Sequence, residues 1–540
     1  MRGRARRNAL VLAIAAVAAV GLPACGTRLP NSSFSAVQQG TAGGNGGLSA
    51  GSTNSAGGLA GSGTSGGTGT GANGVTGSGT SGGSGSGTSG GTGTGAVGST
   101  GSGTSGGSGS GTSGANGSGT TGGQANLASD VGVTPTSITI GNVTSVSGAF
   151  GPDAFGPTLH GLTAYVDALN DQGGINGRKI NLVTCDDGSE GTQFLACVQK
   201  LVEQDHVFAL IGNNSDASAS AAHYEYTHGV PDVGFPLNNG YYKYPNMFSF
   251  YGTPGYARNG TTVGYKNQIE NPLGIYKWYK DNLKLTKAAV FYYVIPVSAQ
   301  AGCFEENGLK QEGIPTVYEG GGGNGNCTGA GENPAAPAFD EDVINMRSKG
   351  VDTVWDAMDV SANARLCQAM DRQGFKVTAK VSTIEVYSQT LGTTFSAPCR
   401  NSVYISGSSD SFADTANPLI KEFRTDFAKY QPGANLHQWA VEGFAIGYEL
   451  TDAVKAMGAN VTRRGFMSWL NGFAPVPGGY TAGGIMTPIS YAPVNFSSTL
   501  PNCNTIAQWQ DSAGTYVQRA GTSSCPSVTW YSTPATSDGS

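Results

Sequence analysis

The chain is poor in charge: only 12% of its 540 residues are Asp, Glu, Lys or Arg, with a formal balance of -6. It therefore has no basic stripe able to neutralise a run of phosphates, which excludes nucleic acid as a partner. Histidine is scarcer still, at five residues. His223 and His228 stand apart from any cysteine, and no two cysteines have the C-x2-C spacing, so a metal site has little to build on. No H-E-x-x-H pair occurs and no G-x-S-x-G elbow sits between a strand and a helix. Gly320-Gly321-Gly322-Gly323-Asn324-Gly325-Asn326 lacks the Lys-Ser/Thr ending of a phosphate loop. These absences point away from an enzyme and imply no cofactor. The apolar run Ala9 to Val20 also falls short of the roughly 20 residues a membrane-spanning helix needs.

That run follows Arg2, Arg4, Arg6 and Arg7, a charged and apolar order that reads as a secretory signal over residues 1–24. It ends Leu22-Pro23-Ala24-Cys25, which resembles a lipobox with Cys25 as the lipid-modified first residue of the mature chain; a plain signal cut near Ala24 is the alternative. Two or more acyl chains, at about 0.8 kcal/mol per buried methylene, hold a protein stably on a bilayer. The expectation is a lipid-anchored protein on the extracytoplasmic face of the cell membrane. Eight further cysteines fall into four successive local couples, and pairing within them predicts disulfides Cys185–Cys197, Cys303–Cys327, Cys367–Cys399 and Cys503–Cys525.

Of the 87 glycines, 37 are concentrated between Gly40 and Gly123, in repeats such as Gly-Ser-Gly-Thr-Ser-Gly-Gly. Such a stretch cannot bury a core. Residues 25–125 read as a disordered tether, its roughly 85 repetitive residues spanning about 50 Å as a coil. Beyond it, strands alternate with helices. Ser137 to Gly141 reads as a strand, then a loop to Pro157, a helix over Thr158 to Gln172, a strand over Ile180 to Thr184, a helix over Thr192 to Gln204 and a strand over Val207 to Ile211. The alternation resumes after a boundary near Thr253, and Pro418 to Tyr430, Trp439 to Met457 and Arg463 to Leu470 form a later helical section. The pattern predicts two α/β lobes with parallel sheets and interleaved segments: 131–252 with about 410–478, and 253–409 with about 479–530.

Ser145-Val146-Ser147-Gly148, the string Gly173-Gly174-Ile175-Asn176-Gly177-Arg178 before a strand ending in Asp186-Asp187, and Gly234-Phe235-Pro236 together resemble the branched-chain amino-acid (Leu/Ile/Val) substrate-binding proteins of ABC transporters. The resemblance runs over about residues 131 to 500. It implies the type I periplasmic binding protein fold, two Rossmann-like lobes joined by a multi-crossover hinge. It also implies a monomer that closes on a small-molecule solute and hands it to an ABC permease; sensing or surface interaction on the same fold, without transport, is the alternative. Carried over by position, it places Asp216 where relatives hold a ligand carboxylate, with Ser215 or Ser218 as neighbours that serve after a small slip. It places Leu237 and Asn239 on the next contact loop, Phe155 on the pocket wall, Glu385 on a ligand ammonium and Asp359 on the opposing lobe. Turn or helix-cap roles for Asp216 and Asn239, core packing for Phe155 and plain exposure for Glu385 are the alternatives. The solute expected is a small polar molecule, an amino acid, amide or related amine. Two acids facing one cleft would oppose an incoming carboxylate, so these departures from the family pattern favour an amide, amine, polyol or basic amino acid over a simple leucine-like ligand.

Overall fold

In a computed structural model, the residues described are 125–253, 258–323, 331–334, 338–492 and 499–535. The signal segment, Cys25, the tether up to residue 124 and Cys327, with its pairing to Cys303, lie outside them. The first sheet is built from β1 (Ser137–Thr144), β2 (Lys179–Asp186), β3 (Leu210–Ile211), β4 (Asp232–Gly234) and β5 (Met247–Ser249), in the order β2-β1-β3-β4-β5. All its pairings are parallel, and Ile138, Ile140 and Val143 of β1 are fully buried, as a sheet covered by helices on both faces requires. β3 is shorter than the predicted Val207 to Ile211. Arg463 donates to the carbonyls of Val207 and Phe208 at 2.7 and 2.9 Å, diverting them from the ladder. The first helix begins at Pro152 rather than Thr158 and carries Pro157 inside it. So near the N-terminus, that proline forfeits a hydrogen bond only to the first turn.

The Gly-Gly-Ile-Asn-Gly-Arg string turns the chain from that helix into β2. Gly174 has φ 78° and a Cβ there would stand 1.9 Å from the Arg178 carbonyl oxygen, so only glycine fits. Arg178 itself is fully buried and donates to the carbonyls of Leu127, Thr134, Gly458 and Ala459. The motif is a structural clasp.

The second sheet takes its strands from later in the chain. After β6 (Gln268–Pro272) come β7 (Ala288–Tyr292), β8 (Thr316–Glu319), β9 (Thr353–Ala357), β10 (Ala379–Ser382) and β11 (Val403–Gly407), then β12 (Leu500–Pro501), β13 (Thr505–Gln510), β14 (Thr515–Ala520), β15 (Ser527–Val528) and β16 (Trp530–Pro534). The sheet order is β14-β13-β11-β10-β9-β7-β8. Its central strands are parallel, as expected, and β13 and β14 add an antiparallel hairpin along one edge. Disulfides join Cys185 to Cys197, Cys367 to Cys399 and Cys503 to Cys525.

The chain returns to the first lobe with helices Pro418–Tyr430, Gln438–Met457 and Arg463–Leu470. Helix Gln438–Met457 crosses helix Pro152–Asp171 at backbone contact: a Cβ on Gly161 would lie 1.9 Å from the Ala440 carbonyl oxygen, and one on Gly443 would lie 2.0 Å from that of Thr158. Among the described residues, the segments around Tyr251, Ser409 and Tyr491 lie side by side between the lobes. Ser409 bridges Met486, and the Tyr491 hydroxyl donates to the Ser249 carbonyl at 2.9 Å. Glu442 sits beneath them, fully buried, accepting from Tyr251 at 2.8 Å and from Ser409 at 2.7 Å. It thereby ties the first crossing to the second.

Burial pushes the Glu442 carboxyl up to about 7 against the downward pull of the Ser409 and Tyr251 hydroxyls. A carboxyl raised in the folded state contributes its stability below the ordinary carboxylate range and loses it as pH rises through about 7. Glu442→Ala, which strands two enclosed hydroxyls, is expected to cost about 2–4 kcal/mol. Glu442→Gln is expected to hold its urea midpoint and to lose less stability than the parent between acid and neutral pH; an equal loss in both proteins would contradict the assignment.

Candidate functional site

In open parallel sheets the strand carboxyl ends leave loops and helix starts facing a crevice. Here the loops after β1, β3 and β4 face those after β7, β9, β10 and β11 across a cavity of about 440 Å³. That is a size suited to a small molecule. The lobes touch over it. Phe150 of the first stacks on Tyr293 of the second with ring centres 5.9 Å apart, and the Gln300 side chain donates to Asn239 at 3.2 Å.

On the first lobe, the paired aspartates organise the rim. Asp186 accepts from the backbone N–H groups of Val146, Ser147 and Gly188, while Asp187 accepts from the hydroxyls of Ser145 and Ser215 at 2.9 and 2.6 Å. Ser215 is therefore held beneath the surface and does not reach the cavity wall; Ser218 is likewise occupied, accepting from Asn238 at 2.8 Å. Asp216 and Leu237 do line the cavity. Burial pushes Asp216 up to about 7, relieved only in part by the Ser189 hydroxyl and reinforced by Asp187. Asn239 is fully buried and stands behind the wall, engaging Gln300, which lines it. Phe155 is on the wall and also packs, stacked on Trp439 at 5.6 Å.

On the second lobe, Glu385 and Asp359 both line the cavity. Asp359 caps helix Val360–Arg372, accepting from the N–H groups of Ser361 and Ala362 at 2.6 and 3.0 Å, and also accepts from the Tyr293 hydroxyl at 2.7 Å. Glu385 keeps one carboxylate oxygen enclosed without a hydrogen-bond partner, and burial raises it to about 7 against the pull of the Thr383 hydroxyl. Its backbone carbonyl accepts from His437 Nε2 at 2.9 Å. The Trp439 N–H donates to Nδ1 of the same ring at 3.1 Å. His437 is fully enclosed, and burial lowers it to about 4, so a neutral imidazole links the Glu385 turn to helix Gln438–Met457.

Glu305 joins the acids on this wall, and burial drives it well above the usual carboxylate range, reinforced by Asp356 and Glu306. It comes from helix Pro296–Gln311, which the periodicity of the sequence did not reveal, as do Gln300 and Phe304. Tyr251, Tyr276, Trp355 and Trp439 are further walls missed in the sequence. Behind the acids lies a fully buried ion pair. Lys380 donates to Asp356 at 2.6 Å and to Ser382 at 2.6 Å, and also to Asn363, whose amide returns to Asp356 at 2.6 Å. An enclosed ring face near a cation is worth about 0.5–2 kcal/mol. The arrangement as a whole can enclose, orient and desolvate a small molecule. Among the described residues no group of three His, Cys, Asp or Glu is disposed to hold a metal ion.

Two parallel-sheet α/β lobes, the segments between them and a ligand-sized cleft at the strand ends define a bilobal solute-binding protein. Residues 137–514 match the model of the periplasmic binding protein family, and the chain belongs to that family. It is thus a solute-binding protein of extracytoplasmic type, in a family whose members bind and do not catalyse. Among curated relatives, the Leu/Ile/Val-binding protein homolog 1 of Brucella suis is 24% identical over 315 residues, covering 57% of this chain and 76% of the relative. Among solved structures, a fatty acid ABC transporter substrate-binding protein from Thermomonospora curvata superposes with TM-score 0.56 and 17% identity, covering 74% of this chain and 94% of that one. A solute-binding protein from Rhodopseudomonas palustris in complex with 3,4-dihydroxybenzoic acid gives TM-score 0.54 and 15% identity, covering 72% and 98%. These likenesses concern the fold.

Removing one partner of a buried ion pair leaves an uncompensated charge. Lys380→Met is expected to lower unfolding free energy by about 3–5 kcal/mol in denaturant titrations. An unchanged midpoint would contradict a stabilising role for the Lys380–Asp356 pair.

Proposed function

We propose that the chain is a lipid-anchored solute receptor that takes a small polar molecule, an amino acid, amide or related amine, between its lobes and delivers it to an ABC importer. The observation that carries this reading is the cavity of about 440 Å³ closed over by Phe150 on Tyr293 and Asn239 on Gln300, with Glu385 and Asp216 on opposite walls. Residues 131–252 with about 410–478 form one lobe and 253–409 with about 479–530 the other, a division supported by the membership of the two sheets. Glu385, Asp216 and Leu237 contact the solute, Phe155 walls it, Asp359 holds the Tyr293 side of the gate, and Asn239 and Ser215 act from behind the wall. The solutes named for the relatives, branched-chain amino acids, a fatty acid and an aromatic acid, differ widely, so the ligand follows from the wall chemistry. Attachment through Cys25 leaves the lobes free to meet a permease.

Native mass spectrometry of the gently purified full chain is expected to release one small molecule, and Glu385→Ala is expected to weaken its binding at least about tenfold, or ~1.4 kcal/mol. Undiminished affinity in that variant would remove Glu385 from the site. Deleting the protein is expected to abolish cellular uptake of the same molecule; unaffected uptake would rule out a transport role. Cys25→Ser is expected to move the protein from the membrane pellet to the soluble fraction, and continued sedimentation would rule out the lipid.

A further inference from the structure

We propose that the cleft selects an organic cation carrying no carboxylate, with its charged nitrogen against Glu385 and Glu305 and its apolar body among the rings. This rests on the reading of the cleft as the solute site. It narrows that reading by excluding α-amino acids.

The geometry carries it in three ways. Among the described residues, no Lys, Arg or His lines the cavity; Lys380, behind it, is committed to Asp356, Asn363 and Ser382. A carboxylate entering the cleft therefore finds no side-chain cation. Helix starts compensate only in part: helices Pro152–Asp171 and Pro296–Gln311 have no side-chain cap but each loses one N–H donor to its opening proline, and Asp359 already occupies the start of helix Val360–Arg372. In contrast, Asp216, Glu305 and Glu385 each present an oxygen that has no hydrogen-bond partner. A protonated or quaternary nitrogen meets these acids on a wall that also carries Tyr276, Trp355 and Trp439.

Such a ligand changes the protonation of its site. Glu385 faces Asp356, Asp359 and Thr383. Glu305 faces Asp356, Glu306, Lys380 and Glu385, and Asp216 faces Ser189, Asp187 and Glu190. Burial holds Glu385 and Asp216 up at about 7, so near neutral pH a share of each is protonated while the cleft is empty. A cation favours the ionised form. Binding therefore expels protons, and affinity rises with pH through about 7 and falls on acidification.

The test is calorimetry on the full chain, freed of copurified ligand, in phosphate and in Tris, with tyramine, choline and agmatine as cation probes and leucine and 3,4-dihydroxybenzoate as carboxylate probes. At least one cation is expected to bind with proton release, its affinity rising up to about tenfold for each proton expelled between about pH 6 and pH 8. Glu385→Gln and Glu305→Gln, which keep shape and lose charge, are expected each to weaken that cation at least about tenfold at the higher pH, with melting temperatures confirming that both remain folded. Failure of all three cations to bind overturns the proposal, as does cation binding that both variants retain with no proton release. Leucine or 3,4-dihydroxybenzoate binding alone, with uptake lost on deletion, sinks this inference and leaves solute transport standing. No binding by either class, with uptake unaffected, sinks both.

Discussion

The rest of the site depends on the crossing of helices Pro152–Asp171 and Gln438–Met457, which meet backbone to backbone at Gly161 and Gly443. Their closeness leaves no freedom in how one helix sits on the other, since any side chain at either glycine collides with a carbonyl. That single constraint sets the stacked pair Phe155 and Trp439 on the cleft wall, the buried Glu442 under two of the crossings and His437 on the carbonyl of Glu385. Recognition, hinge and scaffold are thus referred to one helix.

The second organising feature is the distribution of charge. A fully enclosed ion pair, Lys380 with Asp356, is satisfied on every side by Asn363 and Ser382, whereas the acids a short distance forward keep unpartnered oxygens. Enclosed carboxyls without partners are costly in an empty protein. Glu225 and Glu449 show the same feature away from the cavity, whereas Asp216, Glu305 and Glu385 show it on the cavity lining.

Much of the architecture was legible. The alternation from Ser137 to Ile211 and the Gly-Gly-Ile-Asn-Gly-Arg turn identify a parallel sheet because their periodicity and their left-handed glycines have local causes. The β13–β14 hairpin was not legible, because β13 is buried along most of its length and β14, at the edge, is half-buried, so neither shows a clean alternation. Pro157 misled for a reason of the same kind: a proline marks a helix start, and here the start is Pro152. Asp216, Leu237, Asp359 and Glu385, carried over by position from the resemblance, all line the cavity because each follows a strand end. Ser215 could not be told from Asp216, as one residue along a tight loop reverses the side from which the side chain departs. Glu305 and Trp439 sit on helices, and which face of a helix meets the cleft is decided by packing from other parts of the chain.

The order in which the chain visits its lobes has a kinetic consequence. The helix that covers Pro152–Asp171 arrives only at Gln438, after the whole second sheet up to β11 has been traversed. A chain stopped before that point exposes the apolar face built from Leu162, Tyr165 and Val166, which the finished protein buries. Closing so long a loop before its contacts reward it makes for slow folding. The first lobe to be synthesised is therefore completed only at Leu470, after β7 to β11 of the second, and the second waits in turn for β13 and β14, so the nascent protein stays unlocked until nearly all of it exists.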